Sequence, residues 1–398
     1  MVGGGAAGFF AAIAAAEQGA AVTILEKTSR FLDKVRISGG GRCNVTHACF
    51  EPREFSSRYP RGEKALIGAL QKFSASDTVQ WFAARGVKLK TESDGRMFPV
   101  TDTSQTIMDC LFAAARAANV NLRLNAAVET ATRLESGGFE LALTGGEKNF
   151  CDKLLLATGG CRAAAAGQIA MSLRHTLEPP VPSLFTFHIE SPWLRSLAGV
   201  ALEVETNVPD AKLRERGPLL VTHWGVSGPV ILRLSAWGAR ALHKLNYNFP
   251  LLVNWLPELN AEKISFELAS LRDKFSARLI VNTPLAPLSS RLWEQLVLAS
   301  GISRDTRWAT LTRAQTHALT QQLLRTEFFV TGKSLNKDEF VTCGGVKLSE
   351  VDFKTMESRV CPGLFFAGEL LDVDGITGGF NFQAAWTTGW LAGRAMAS

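Results

Sequence analysis

Nowhere in the 398-residue chain do 18 apolar residues run uninterrupted, so no membrane-spanning helix is expected. The N-terminus carries no basic segment, apolar run and small-residue cleavage site; a secretory signal is not expected, and the expected location is cytoplasmic. The seven cysteines (Cys43, Cys49, Cys110, Cys151, Cys161, Cys343, Cys361) include no C-x-x-C pair. An odd, scattered set argues against a disulfide framework or a Cys-based zinc site and suits reduced thiols, so no metal centre is expected. Internal repeats and low-complexity tracts are also missing. The net charge of +6 comes from dispersed Lys and Arg, not from a cluster. Nucleic acid is therefore not an expected partner, and recruitment of anionic small molecules explains the excess equally well.

What is present fits a folded soluble protein: 46% apolar and 20% charged residues. The length suggests two or three domains at roughly 150 residues each. Residues 3–18 read as a glycine turn opening a helix that Gly19 stops, followed by the β-branched run 21–26, a buried strand. Only Met1 and Val2 precede the glycines, so the first strand either starts upstream or is clipped at an edge of its sheet. Helices are expected over 65–85 and 104–118, and strand-like runs fill 121–160. After Pro179-Pro180, short alternating runs over 183–255 point to an antiparallel β unit, and 258–325 is mainly helical. Strands return at 328–332 and 339–346, and 363–393 reads as strand, glycine loop and final helix. The fold expected is α/β and discontinuous: residues 1–180 plus 345–398 in one nucleotide domain, a β insert over 181–256 plus 326–344, and a helical subdomain over 257–325.

The first chemistry-bearing motif is G-x-G-x-x-G at Gly3, Gly5 and Gly8. The first glycine permits the tight turn, the second lets backbone approach a pyrophosphate, and the third lets helix and strand pack closely. Unpaired N–H groups and the positive dipole end of the helix then face the phosphates. Glu26 ends the next strand, where a carboxylate can accept ribose hydroxyls. A second motif, Ser38-Gly39-Gly40-Gly41-Arg42-Cys43-Asn44, spends three glycines, which suits backbone passing under a planar or phosphorylated ligand; a plain surface loop is the alternative. Arg42 can pair with a phosphate or a developing negative charge. A third motif, Ala157-Thr158-Gly159-Gly160, ends a strand in small residues, as a simple turn also would. A fourth, Gly368-Glu369 through Asp372, Asp374, Gly378 and Gly379, opens a second helix N-terminus, suited to the electron-rich end of a reduced flavin. No second G-x-G-x-x-G occurs, so a nicotinamide partner has no Rossmann fingerprint of its own. Together these features point to FAD. His223, in THWGVSGP, is a candidate proton donor, with a structural hydrogen-bonding role the alternative. Cys43 and Arg42 are the other catalytic candidates, and the catalytic residues are otherwise unassigned.

The chain resembles, end to end, the bacterial HI0933-like flavoproteins, also described as BaiN/RdsA or aminoacetone-oxidase-like. The resemblance is carried by GGGAAG (3–8), ISGGGRCNVT (37–46), GRMFPV (95–100), LLATGG (155–160), THWGVSGP (222–229), VTCGGV (341–346), TMESR (355–359) and AGELLDVDGITGGFNFQAAWTTGWLAG (367–393). It implies a Rossmann-type FAD domain of the glutathione-reductase kind, with an inserted β-barrel-like domain and a small helical domain. It also implies that Gly3, Gly5, Ala6, Ala7, Gly8, Glu26 and Lys27 hold the ADP half of FAD, and that Val128 touches the adenine through its backbone. Gly39, Gly40, Gly41, Arg42, Cys43, Asn44, Thr158, Gly159, Gly368, Glu369, Asp374, Gly378, Gly379 and Asn381 would surround the rest of the cofactor. After ATGG the family pattern has a Pro- and Gly-rich loop with a Ser/Thr-Gly-Asp-Gly core; here CRAAAAGQIA (161–170) replaces it. The function implied is an FAD-dependent oxidoreductase passing hydride between a small organic substrate and the flavin, with NAD(P)H or oxygen as redox partner. The alternatives are a non-catalytic flavin-binding protein, regulatory or RNA-associated, and a homologue that has lost activity.

Overall fold

A computed structural model of the chain describes residues 1–161, 164–334 and 341–398. Arg162 and Ala163 of the altered loop, and Glu339 and Phe340 at the start of an expected strand, lie outside the described residues.

Five short parallel segments make the central sheet. Asn121–Arg123 pairs with Thr23–Leu25, and Leu154–Leu156 pairs with Leu364–Phe366. Val2 bridges the two pairs, in parallel with both Leu25 and Leu156. Its N–H donates to Leu155 O (2.8 Å) and its carbonyl accepts from Ala157 N–H (2.9 Å), while on the other side Leu25 N–H donates to Met1 O and Gly3 N–H to Leu25 O, both at 2.9 Å. The two-residue stub is therefore at the middle of the sheet, not a clipped edge. It is held from both sides because three apolar strands flank and extend it. Glu357–Ser358 and Val351–Asp352 continue the sheet antiparallel.

The first helix, Ala6–Ala16, is alanine-rich, the best helix-forming composition. It packs backbone to backbone against the last helix, Phe380–Ala397. A Cβ built on Gly389 would meet Ala7 O at 2.5 Å, and one on Gly393 would meet Ala11 O at 2.2 Å. Phe9, Phe10, Ile13, Phe82, Leu111 and Trp386 fill the core around the pair. The expected helices appear as Glu63–Lys72, Ala75–Ala83 and Ser104–Ala117. A three-stranded antiparallel sheet, Val128–Arg133 with Phe139–Leu143 and Lys148–Cys151, follows.

The chain divides into two compact units, Met1–Ser183 with Asn336–Ser398, and Leu184–Leu335. Residues 181–183 and 341–344, assigned above to the insert, fall in the first unit because Leu177–Ser183 ladders onto Val341–Val346. The second unit is a closed six-stranded barrel in the order Thr186–Ile189, Gly225–Ser227, Leu213–Thr222, Ala201–Val208, Phe249–Asn254, Thr326–Ser334. Two helices not anticipated from the alternating pattern, Pro229–Trp237 and Ala239–Lys244, interrupt its strands. Helices Ala261–Phe275, Ser290–Ala299 and Arg313–Arg325 share this unit with the barrel. The expected helical subdomain is tied to it locally: Trp255 N–H donates to Leu323 O (2.9 Å) and Trp255 Nε1 to Thr326 Oγ1 (2.7 Å). Among the described residues no helix is long and apolar enough to cross a membrane.

Candidate functional site

Four adjacent parallel strands of the first unit end in the residues singled out from sequence. Val2 leads into Gly3–Gly5, Leu25 into Glu26, Leu156 into Thr158–Gly159, and Phe366 into Gly368–Glu369. Ligands of open α/β sheets bind outside such carboxyl ends. The glycines sort by what a side chain would meet. At Gly3 (φ +107°) a Cβ would strike Ala157 O at 2.3 Å, at Gly4 the Phe31 ring at 2.3 Å, and at Gly8 the Gly3 carbonyl at 2.0 Å. These three are required by the fold itself. At Gly5, Gly40, Gly41 and Gly159 a Cβ meets nothing within 4 Å. Gly5 is also the N-cap of the first helix, with no side-chain cap.

Glu26 is half-buried. Its Oε2 accepts from Gly4 N–H (2.8 Å), and its Oε1 from the Thr28 N–H and hydroxyl (both 2.9 Å). A carboxylate has about four lone-pair positions, so acceptor capacity remains for hydroxyls. Ala126 N–H donates to Glu26 O (2.8 Å), which sets the chain leading into Val128 beside it. Ala6 and Ala7 lie in the first turn of the helix, and Lys27 is exposed. The buried Thr158 hydroxyl finds no hydrogen-bond partner among the described residues. A buried, unpaired polar atom is costly, and this one sits at the strand end next to open Gly159. An open glycine cradle, an uncapped helix start and an orphaned hydroxyl together fit a phosphorylated dinucleotide such as FAD.

The glycine–Arg–Cys–Asn loop and the last helix form one structure. Ser38 leaves the helix at Asp33–Gly41 with extended ψ, and Gly39, Gly40 and Gly41 take positive φ. With its amide oriented to satisfy both atoms, Asn44 accepts from Gly379 N–H (2.9 Å) and donates to Thr46 O (3.0 Å). Val45 O accepts from Trp386 Nε1 (2.9 Å), and Thr46 Oγ1 donates to Gln383 Oε1 (2.7 Å). His47 Nδ1 lies 3.1 Å from Gly378 O, and its ring stacks on Phe380 at 4.8 Å. Thus each residue from Asn44 to His47 grips the start of the last helix. Gly379 (φ +95°) must be glycine there, because a Cβ would meet Thr46 O at 2.5 Å. No side chain caps that helix. Asn381 instead closes its own loop, accepting from Gly375 N–H (2.8 Å) and donating to Gly375 O (2.9 Å).

Several candidates are occupied otherwise than expected. The Arg42 guanidinium pairs with Glu92 (2.6 Å) and lies 4.0 Å over the Phe98 ring, instead of standing free for a phosphate. Cys43 is fully buried, and burial pushes its thiol up to about 12. A thiol so placed is not a nucleophile near neutral pH. Asp374 is fully buried in a forked ion pair with Arg61, and Ser183 Oγ donates to it at 2.8 Å. Glu369 accepts from Thr342 N–H (2.8 Å) and pairs with Lys34. His223 is exposed on a turn between two barrel strands of the second unit. Thr46, His47, Arg61, Lys34 and Gln383 were not singled out from sequence; a glutamine inside an apolar helix was the one available signal.

The family model of the HI0933-like protein Rossmann domain matches residues 1–395. The chain is 32% identical to a ribosomal RNA dihydrouridine synthase of Escherichia coli, over 99% of the chain and 96% of that protein. It is 29% identical to a 3-dehydro-bile acid delta(4,6)-reductase of Clostridium scindens, over 100% of the chain and 98% of that protein. Among solved structures, the 3-ketosteroid-delta4-(5alpha)-dehydrogenase of Rhodococcus jostii shares the fold at a TM-score of 0.52 and 14% identity, covering 100% of this chain and 96% of that one. The 3-ketosteroid delta1-dehydrogenase of Sterolibacterium denitrificans does so at 0.53 and 13%, covering 100% and 98%. The chain belongs to the family of the HI0933-like protein Rossmann domain.

Proposed function

We propose that this chain is an FAD-dependent oxidoreductase that changes the saturation of a carbon–carbon double bond conjugated to a carbonyl, with NAD(P)H or oxygen resetting the cofactor. The observation that carries the cofactor half is the orphaned Thr158 hydroxyl beside open Gly5 and Gly159 at the carboxyl ends of the strands. FAD, when bound, supplies hydride exchange. The protein's residues supply orientation and electrostatics. Glu26 and the first helix start take the ADP half, and the uncapped last helix offers N–H groups to an electron-rich ring. The conjugated-bond half is supported by the two relatives. A 3-oxo steroid 4,6-diene and the uracil ring share one grouping, a double bond next to a carbonyl, although the molecules differ in every other respect.

Uracil in RNA is the second reading of the substrate. The 32% identical relative favours it over the expectation that dispersed cations exclude nucleic acid. Purified protein loaded with FAD tests both. Bleaching of the flavin band near about 450 nm by NADH or NADPH without oxygen is expected. Recovery of the band on adding a conjugated enone, or dihydrouridine appearing in an added uridine-containing RNA, identifies the substrate class. A protein that stays colourless with FAD sinks the proposal. A flavin that only oxygen reoxidises sinks its conjugated-bond half.

A further inference from the structure

The four-residue grip of Asn44–His47 on the last helix contains one titratable group, His47. Its ring is half-buried, with contacts at both nitrogens and on one face. Nδ1 faces Gly378 O at 3.1 Å, Phe380 stacks on one face, and a Cβ built on Gly95 would lie 2.4 Å from Nε2. The charged groups that face it are Arg58, Asp94 and Arg96. Asp94 is paired with Arg96 (2.7 Å), and Arg58 approaches Glu54 (3.8 Å). A carbonyl partner requires Nδ1 to carry its proton, and it does so in both the neutral and the charged ring. Titration therefore leaves the bond to Gly378 in place and changes only the charge beside an uncapped helix start.

We propose that His47 is a positioning residue of the cofactor site: it holds Gly378 so that the first-turn N–H groups of the last helix keep one direction, and its charge sets how strongly that end receives an anionic cofactor. The inference rests on the FAD-binding reading above. In the free protein, burial first and then Arg58 and Arg96 oppose charge on His47 and hold the ring below the usual histidine range, although the Gly378 carbonyl and Asp94 favour it; the helix dipole adds to the opposition. An anionic ligand at the helix start offsets that opposition. Binding and protonation thus favour each other.

The test is the FAD dissociation constant of the apoprotein, read by flavin fluorescence from about pH 8 to about pH 5. For the unaltered chain the affinity is expected to rise about threefold as pH falls, the size of one helix-terminus charge interaction. His47→Asn keeps a donor toward Gly378 and should match the unaltered chain at the alkaline end, with a flat pH response. His47→Ala should bind about fivefold more weakly at the alkaline end, the cost of one hydrogen bond. If His47→Ala does not fold, the pH response of His47→Asn alone decides. A His47→Asn curve that still rises as pH falls, or a folded His47→Ala that binds like the unaltered chain, overturns the role of His47 while leaving FAD binding intact. Failure of the unaltered chain to take up FAD overturns the proposed function as well.

Discussion

Gly5→Ala separates the two jobs that glycines do in this loop. Gly5 has φ −91° and ψ −168°, a conformation open to any residue, and a Cβ there touches no protein atom within 4 Å. The added methyl should not harm the fold. Its effect on the apoprotein should stay within about 1 kcal/mol, because the reduced freedom of the unfolded chain is offset by alanine's poorer fit at an N-cap. The same methyl stands in the open space assigned to the pyrophosphate. Crowding a closely packed contact by one methyl costs about 1–3 kcal/mol, so FAD affinity should fall roughly 5- to 150-fold. Gly8→Ala should behave in the opposite way: its Cβ lies 2.0 Å from Gly3 O, and the apoprotein itself should lose stability by about 1–3 kcal/mol or more. Urea denaturation of the two apoproteins and flavin fluorescence titration measure both quantities. If Gly5→Ala binds FAD like the unaltered chain, the pyrophosphate does not pass over Gly5. If its apoprotein is destabilised as much as Gly8→Ala, the space at Gly5 is not open.

Three further outcomes follow from buried groups. Arg61→Met leaves the Asp374 carboxylate buried without its counter-charge and should cost about 3–5 kcal/mol, with Arg61→Met/Asp374→Asn recovering part of the loss in urea denaturation; strictly additive single effects would falsify the buried pair. His175 is buried and accepts at Nε2 from the Ser358 hydroxyl (2.8 Å), whose oxygen already accepts from the Val360 and Cys361 N–H groups. Burial holds its pKa below the usual range. The unfolded chain therefore takes up the proton first, near about pH 6.5, so the contribution is full above that pH and is lost as pH falls through the lower native value. The urea midpoint should drop between about pH 7.5 and about pH 5.5, and His175→Gln should reduce that dependence; an unchanged slope counts against the assignment. Cys43, buried with its thiol at about 12, should resist a disulfide reagent at about pH 8 while half-buried Cys49 reacts. Rapid modification of Cys43 in the folded protein would contradict its placement.

The parts of this protein readable from sequence are those whose physics is local. The Gly3–Gly8 turn, the alanine-rich helix, the Gly19 stop and Glu26 lie within 24 consecutive residues, and each constrains its neighbour through backbone geometry. The alternating runs that became the barrel are equally local. What could not be read is pairing at long range. Arg42 looked available for a phosphate because its residue type permits that, yet Glu92, 50 residues on, and the Phe98 face claim it. Asp374 looked like part of the surround of the cofactor until Arg61, 313 residues away, closed on it. The boundary at 180 falls inside a strand: Pro179 and Pro180 mark a break in texture but form only a bulge, and Leu177–Ser183 ladders onto Val341–Val346 on both sides of it.

The two-residue start illustrates why local brevity did not mean local weakness. A lone strand of two residues has too few hydrogen bonds to hold its shape. In the centre of a parallel sheet the same two residues receive bonds from both neighbours, Leu155 and Ala157 on one side and Leu25 on the other. Gly3 is thereby fixed at the strand end, and Gly8 is fixed against Gly3. A second, independent lock is the one in which Asn44–His47 binds the last helix and the loop before it at four points. Gly389 and Gly393 let that helix rest directly on the first one. The two uncapped helix starts are therefore joined through a backbone-to-backbone helix contact, and a shift of either one must be shared by the other. If the proposed FAD site lies at these helix starts, it is organised before any ligand arrives, which is the condition under which helix ends and backbone N–H groups contribute most to binding an anion.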